Sequence, residues 1–272
     1  MKHLLGAATL VVVAQFGLGQ ALACEATIPT VEKGKLTVAA YDYPPFSITG
    51  PGSEISGIDA DIVKRAAKEN CLEVVAQIMD PAATIQAVIS GKADVAIGSW
   101  NRTEKRAEVL DISAPTYLDP MGVFSKEGFD SIEALKGKQV GTVTGYLWVG
   151  ELQQLFGADL KLYPTPIALA QDLDAGRIDA GLDGYNSGVF LQKTADGYKG
   201  IQIVLAKPDE RVQASVQPAQ AGVLYTKGNA ALGKALDASI VQQHADGTIV
   251  KALEANGFDA KVGDVGEPRM VK

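Results

Sequence analysis

The chain has 272 residues, with 25 Lys and Arg against 32 Asp and Glu (formal net charge −7), 47% hydrophobic residues, two Cys and two His. An acidic balance without basic runs argues against nucleic acid and anionic membrane surfaces as partners. A single histidine beyond the leader, His244, and no His/Cys cluster at ligand spacing leave no zinc site and no Ser-His-Asp order, so no catalytic residue, metal or cofactor is assigned.

Residues 1–23 have the layout of a secretory signal peptide. Lys2 and His3 precede the apolar run Leu4 to Leu18, and Ala21-Leu22-Ala23 gives a small-x-small cleavage site. No second long apolar run follows, so the exported chain from Cys24 is expected in the periplasm, with ample length for one large domain or two lobes. Cys24 and Cys71 meet an oxidising compartment there. They pair if the strands near them are neighbours; the competing reading is lipidation of Cys24 as the first mature residue. A lipoprotein signal usually places Leu three residues before the cysteine, where Ala21 stands here, and the disulfide is the favoured reading.

Lys35 to Tyr41 reads as the first strand, running into Asp42-Tyr43-Pro44-Pro45-Phe46, whose prolines end ladder pairing. Asp59 and Asp61 open a helix with Ile58, Ile62, Val63 and Ala66 at helical spacing; both acids read as helix N-terminal charges. Cys71 to Ile78 is a second strand, Pro81 and Thr84 begin a helix that Gly91 closes, and Ala93 to Ile97 is a buried strand. The stretch Gly98-Ser99-Trp100-Asn101-Arg102-Thr103-Glu104-Lys105-Arg106 follows. A helix capped by Thr103 aims free N–H groups where Arg106 points, which suits a carboxylate, although a solvated polar loop gives the same pattern.

A similar order returns later. Lys138 to Thr144 is a strand ending in Gly145-Tyr146-Leu147-Trp148, with a helix through Leu155. Leu160 to Tyr163 is a short strand, and Pro164 and Pro166 introduce a helix that Gly176 closes. Gly91-Lys92-Ala93-Asp94 and Gly176-Arg177-Ile178-Asp179 both lead into buried strands, with turn or cap roles expected for the two aspartates. Alternating strands and helices imply an α/β fold of two lobes, each a mostly parallel sheet flanked by helices, with the ligand cleft between them at the strand ends. Lobe 1 is expected over 24–124 and 216–272 and lobe 2 over 125–215. Met121 to Phe124 and Val212 to Ala221 are the expected connections, and the tail after Asp259 is expected to pack weakly.

In this order the chain resembles the periplasmic solute-binding proteins of the polar amino-acid ABC-transporter type, the bacterial extracellular solute-binding family 3. The matching segments are Tyr43-Pro44-Pro45-Phe46, Gly57-Ile58-Asp59-Ala60-Asp61-Ile62, Gly91-Lys92 through Thr103-x-x-Arg106, and Leu135-Lys136-Gly137-Lys138-x-Val140-Gly141 into Gly145, spread over Lys35 to Asn256. The resemblance implies a two-lobe type II binding-protein fold and a monomeric receptor that closes on a small amino acid or related carboxylate for an inner-membrane ABC permease. It implies Arg106 on the ligand carboxylate, with Ser99 and Asn101 on carboxylate and ammonium. Tyr43 and Phe46 then serve as aromatic cover, Trp100 lies beside them, and Gly145, Tyr146 and Leu147 supply backbone N–H groups. The family's ammonium-pairing aspartate falls by count on Gly184, one residue past Asp183. Either a bulge brings Asp183 into the cleft, or the second lobe makes no such pair, which would allow a ligand that is not a plain α-amino acid, with Tyr185 or Asn186 contributing. Two alternatives use the same scaffold: an exported dehydratase acting on prephenate-like substrates, and a receptor presenting its ligand to a sensor.

Overall fold

The computed structural model describes residues 24–194 and 197–271; the signal peptide expected over 1–23 lies outside the described residues. Two five-stranded sheets carry the fold. The first runs, edge to edge, Glu73–Ile78, Lys35–Ala40, Val95–Ala96, Leu224–Tyr225 and Asp111–Ile112; the second runs Leu160–Tyr163, Val140–Val143, Ala180–Gly184, Met121–Ser125 and Gln202–Leu205. In each sheet the first three strands are parallel and the last two pairings are antiparallel, so the expected mostly parallel sheets hold only for the βαβ portions. The antiparallel member beside the third strand arrives in each case from the opposite half of the molecule, which reverses its direction.

Local chemistry sets the helices. Asp80 caps the helix Pro81–Ile89 by accepting from Ala83 N at 2.8 Å, and Thr165 caps Pro166–Asp174 by accepting from Ala168 N at 3.1 Å. Gly91 and Gly176 follow these helices at φ +68° and +69°, as left-handed termini require. The matched aspartates do matched work: Asp94 accepts from the Thr37 N–H at 2.8 Å and Asp179 from the Gln139 N–H at 2.7 Å. Each ties the start of one strand to its parallel neighbour, a structural role in both halves. Cys24 and Cys71 are joined, with Cα atoms 5.5 Å apart, which commits the Cys24 sulfur to pairing.

Two expectations are corrected. Met121 to Phe124, expected as a connection, belongs to the fully buried strand Met121–Ser125 of the second sheet; its run Met-Gly-Val-Phe-Ser pairs on both edges. The outward crossing is instead Leu118–Asp119, paired antiparallel with Ala219–Gln220, which lies within the return stretch expected over Val212 to Ala221. The tail after Asp259 does not pack weakly. Gln220 Nε2 donates to the carbonyls of Val265 and Glu267, and Val271 exchanges backbone bonds with Arg102 and Glu104 beside the Thr103 cap. A long buried amide reaching the tail's carbonyls is what the tail's own polar composition conceals. Among the described residues no helix is long and apolar enough to cross a membrane.

Candidate functional site

The strand ends of both sheets face one pocket, lined by Ser99, Asn101 and Arg106 from the first lobe and by Tyr146, Leu147 and Trp148 from the second. Val95–Ala96 delivers the Gly98–Arg106 stretch to it. Gly98 is held at φ +129°, and a Cβ there would lie 2.2 Å from the Tyr41 ring, so only glycine fits. Ser99 adopts φ +55°. Asp59, 5% exposed, holds this turn: its Oδ2 accepts from the N–H groups of Gly98 at 3.0 Å and Ser99 at 2.7 Å, while Tyr117 donates to Oδ1 at 2.5 Å. Burial raises its carboxyl above the ordinary range despite those donors. Asp59 is therefore the anchor of the binding turn as well as a helix N-terminal charge.

The expected cap forms. Thr103 Oγ1 accepts from the Arg106 N–H at 3.0 Å and starts the helix Glu104–Val109. The Arg106 guanidinium lies over the Trp100 indole, 4.9 Å from the ring centroid; Nη1 donates to Asn101 O at 2.6 Å and Nη2 to Gly145 O at 3.0 Å across the cleft. Burial lowers its pKa to about 10, so it remains charged at neutral pH. Trp100 thus offers its face to Arg106, and its own Nε1 donates to Ile97 O at 3.2 Å. From the second sheet come Tyr146, Leu147 and Trp148. The Tyr146 N–H is already bonded to Val143 O, so it is not placed as the expected N–H donor to a carboxylate, and the Gly145 carbonyl accepts from Arg106. Trp148 Nε1 donates to Thr142 Oγ1 at 2.8 Å, which fixes the indole edge-on to Tyr146.

Phe46, expected against the ligand, is fully buried between Tyr117 at 4.6 Å and Phe258 at 5.8 Å and does not line the cavity. It supports Tyr43, whose ring stacks on it at 6.0 Å. The question at Asp183 and Gly184 also has a geometric answer. Ala180–Gly184 pairs residue for residue with Met121–Ser125, without a bulge. Asp183 Oδ1 accepts from its neighbour's N–H, Gly184, at 2.7 Å and from Tyr43 Oη at 3.3 Å. A Cβ at Gly184 would meet Tyr43 Oη at 1.9 Å, so the tyrosine occupies the space of a side chain there.

Sequence reasoning missed Tyr41 and Asp119, both of which line the cavity. Asp119 is 4% exposed; Ser99 Oγ donates to its Oδ2 at 2.9 Å, and its Oδ1 has no hydrogen-bond partner among the described residues. Burial pushes the Asp119 carboxyl up to about 7 and that of Asp183 up to about 6. The clue to Asp119 was its place in Tyr117-Leu118-Asp119-Pro120, at the point where the chain crosses between the sheets. No group of three or more His, Cys, Asp or Glu among the described residues is arranged to hold a metal ion.

Two α/β lobes joined by paired crossings, with a guanidinium and aromatic rings at the strand ends between them, define the two-lobe type II binding-protein class. Residues 36–257 match the family described as bacterial extracellular solute-binding proteins, family 3, and the chain belongs to it. It is 29% identical to the L-cystine-binding protein of Escherichia coli (strain K12) over 238 residues, covering 85% of each chain. It is 28% identical to the L-arginine-binding protein of Pseudomonas aeruginosa over 231 residues, covering 82% of this chain and 83% of that one. The structure of an ancestral arginine-binding protein bound to glutamine superposes with a TM-score of 0.72 at 26% identity, covering 84% of this chain and all of the other.

Proposed function

We propose that the chain is a periplasmic receptor that closes two lobes around a small amino acid or related carboxylate and delivers it to the permease of an ABC importer. The lobes fall on either side of the crossing at Leu118–Asp119 and Ala219–Gln220. One observation carries this reading: Arg106 is a desolvated guanidinium held by an indole face and two backbone carbonyls, with no carboxylate partner among the described residues. A planar, charged fork in that state takes a ligand carboxylate with little reorganisation. Ser99, Asn101, Trp100, Tyr43, Tyr146 and Leu147 surround the ligand, and Asp183 acts through Tyr43. The relatives' names supply the amino-acid class.

A thermal-shift screen of L-amino acids and small carboxylates against the purified protein tests it, with mass spectrometry of each incubated compound. A ligand at one hundred times its Kd stabilises the folded state by about 2.7 kcal/mol. At least one amino acid is expected to do so and to be recovered unchanged. Conversion of a stabilising compound would instead support the exported dehydratase, with Asp119, raised to about 7, placed as its general acid. No response across the panel refutes the receptor.

A further inference from the structure

The cleft holds an acceptor that no described residue uses. Asp119 reaches the cavity from the crossing between the sheets, is 4% exposed, and leaves Oδ1 without a partner among the described residues. Its other oxygen is pinned by Ser99 Oγ at 2.9 Å, so the carboxylate cannot turn away to seek a donor. A buried carboxylate oxygen with no donor costs free energy until a ligand supplies one. Asn101 Oδ1, on the same wall, is also buried without a partner. Two unmet acceptors facing one cavity, on the opposite charge footing from Arg106, form a receptor for a group rich in N–H donors.

Asp183 does not line the cavity. Its Oδ1 is already occupied by the Gly184 N–H at 2.7 Å and faces Tyr43 Oη at 3.3 Å. Gly184 brings no side chain, and a Cβ built there would stand 3.3 Å from Asp119 Oδ1. The carboxylate of Asp119 therefore lies at the edge of the volume that a side chain at position 184 would have filled. We infer that Asp119, supplied by the crossing strand, is the residue that binds the ligand's ammonium group, with Asn101 Oδ1 as a second acceptor, and that it makes the site selective for amino acids over plain carboxylates. This assignment rests on the receptor reading above.

Asp119→Asn keeps the side-chain shape and removes the charge. The probes are the L-amino acid that most stabilises the wild type, from a panel of the twenty standard amino acids, L-ornithine and L-cystine, and the carboxylic acid with the same skeleton and hydrogen in place of the amino group. Calorimetric titration of both is expected to show wild type preferring the amino acid at least tenfold. In Asp119→Asn the amino acid is expected to bind at least thirtyfold more weakly, while the deaminated acid binds equally well or better. A variant that weakens both probes by the same factor, or keeps the wild-type preference, overturns the assignment, because a merely structural aspartate would act on both. Should Asp119→Asn fail to fold, the same two titrations on Asp119→Ser decide by the same criteria, and a wild type without preference for the amino acid overturns the assignment while the carboxylate receptor stands. Wild type that binds neither series fails both readings.

Discussion

Replacing Asp119 by asparagine should make the empty protein more stable, in opposition to its effect on ligand capture. Burial, followed by the charges of Asp183 and Asp59 and opposed by the Ser99 hydroxyl, raises the Asp119 carboxyl to about 7, whereas an aspartate in an unfolded chain titrates near about 3.9. The folded state thus holds this proton more tightly than the unfolded state. Below about pH 4 both states are protonated and the site imposes no cost. Between about pH 4 and 7 the unfolded chain ionises first, so the folded state loses stability as pH rises, and above about 7 the loss is complete. A carboxyl raised from about 3.9 to about 7 corresponds to about 4 kcal/mol, the ceiling on what Asp119→Asn can restore at pH 8. Urea unfolding of the ligand-free proteins at pH 4.5, 6 and 8 measures it. Asp183, raised to about 6, contributes a slope of the same sign in both proteins, and because its charge helps raise Asp119, the difference between them reads the Asp119 proton together with its coupling to Asp183. The variant is expected to gain on wild type progressively from pH 4.5 to 8. Parallel pH dependences, or a variant less stable than wild type at pH 8, would refute the argument.

At Gly184, alanine would place its Cβ 1.9 Å from Tyr43 Oη; the tyrosine must move, and we expect a stability loss of about 1–3 kcal/mol by thermal unfolding together with at least tenfold weaker amino-acid binding. Reduction of Cys24–Cys71, which closes a 47-residue separation, should lower stability by up to about 4 kcal/mol in the chain-entropy account, read as a shifted urea midpoint with and without dithiothreitol. Identical midpoints would mean that the pairing constrains nothing.

What the sequence disclosed was mostly local chemistry. Thr103 capping the Arg106 helix, Pro81 and Pro166 in the first turns of their helices, and Gly91 and Gly176 at helix ends are decided within a few residues, and the structure has each in place. That Asp94 and Asp179 do matched structural work was visible because the same unit occurs twice, although the work is tying neighbouring strands rather than the turn or cap expected. Features set by contacts far apart in the chain were not legible. Met121–Ser125 is a strand because the second sheet borrows it across the crossing, and the tail is ordered because Gln220 satisfies its carbonyls. Phe46 looked like a cleft residue from its motif, but Tyr117 and Phe258, distant in sequence, enclose it. Asp119 was hidden for the same reason. The vacancy at Gly184 could be counted along its strand, but nothing near it in sequence indicates that a residue 65 positions earlier reaches the same place.

The central claim is that Arg106 holds the carboxylate of an amino acid. Isothermal titration of the best-stabilising amino acid against wild type and Arg106→Ala, with urea unfolding to confirm that the variant is folded, tests it most directly. The account predicts at least hundredfold weaker binding, because the desolvated guanidinium over Trp100 has no substitute among the cleft residues described. A folded Arg106→Ala protein that binds within a few-fold of wild type would contradict it.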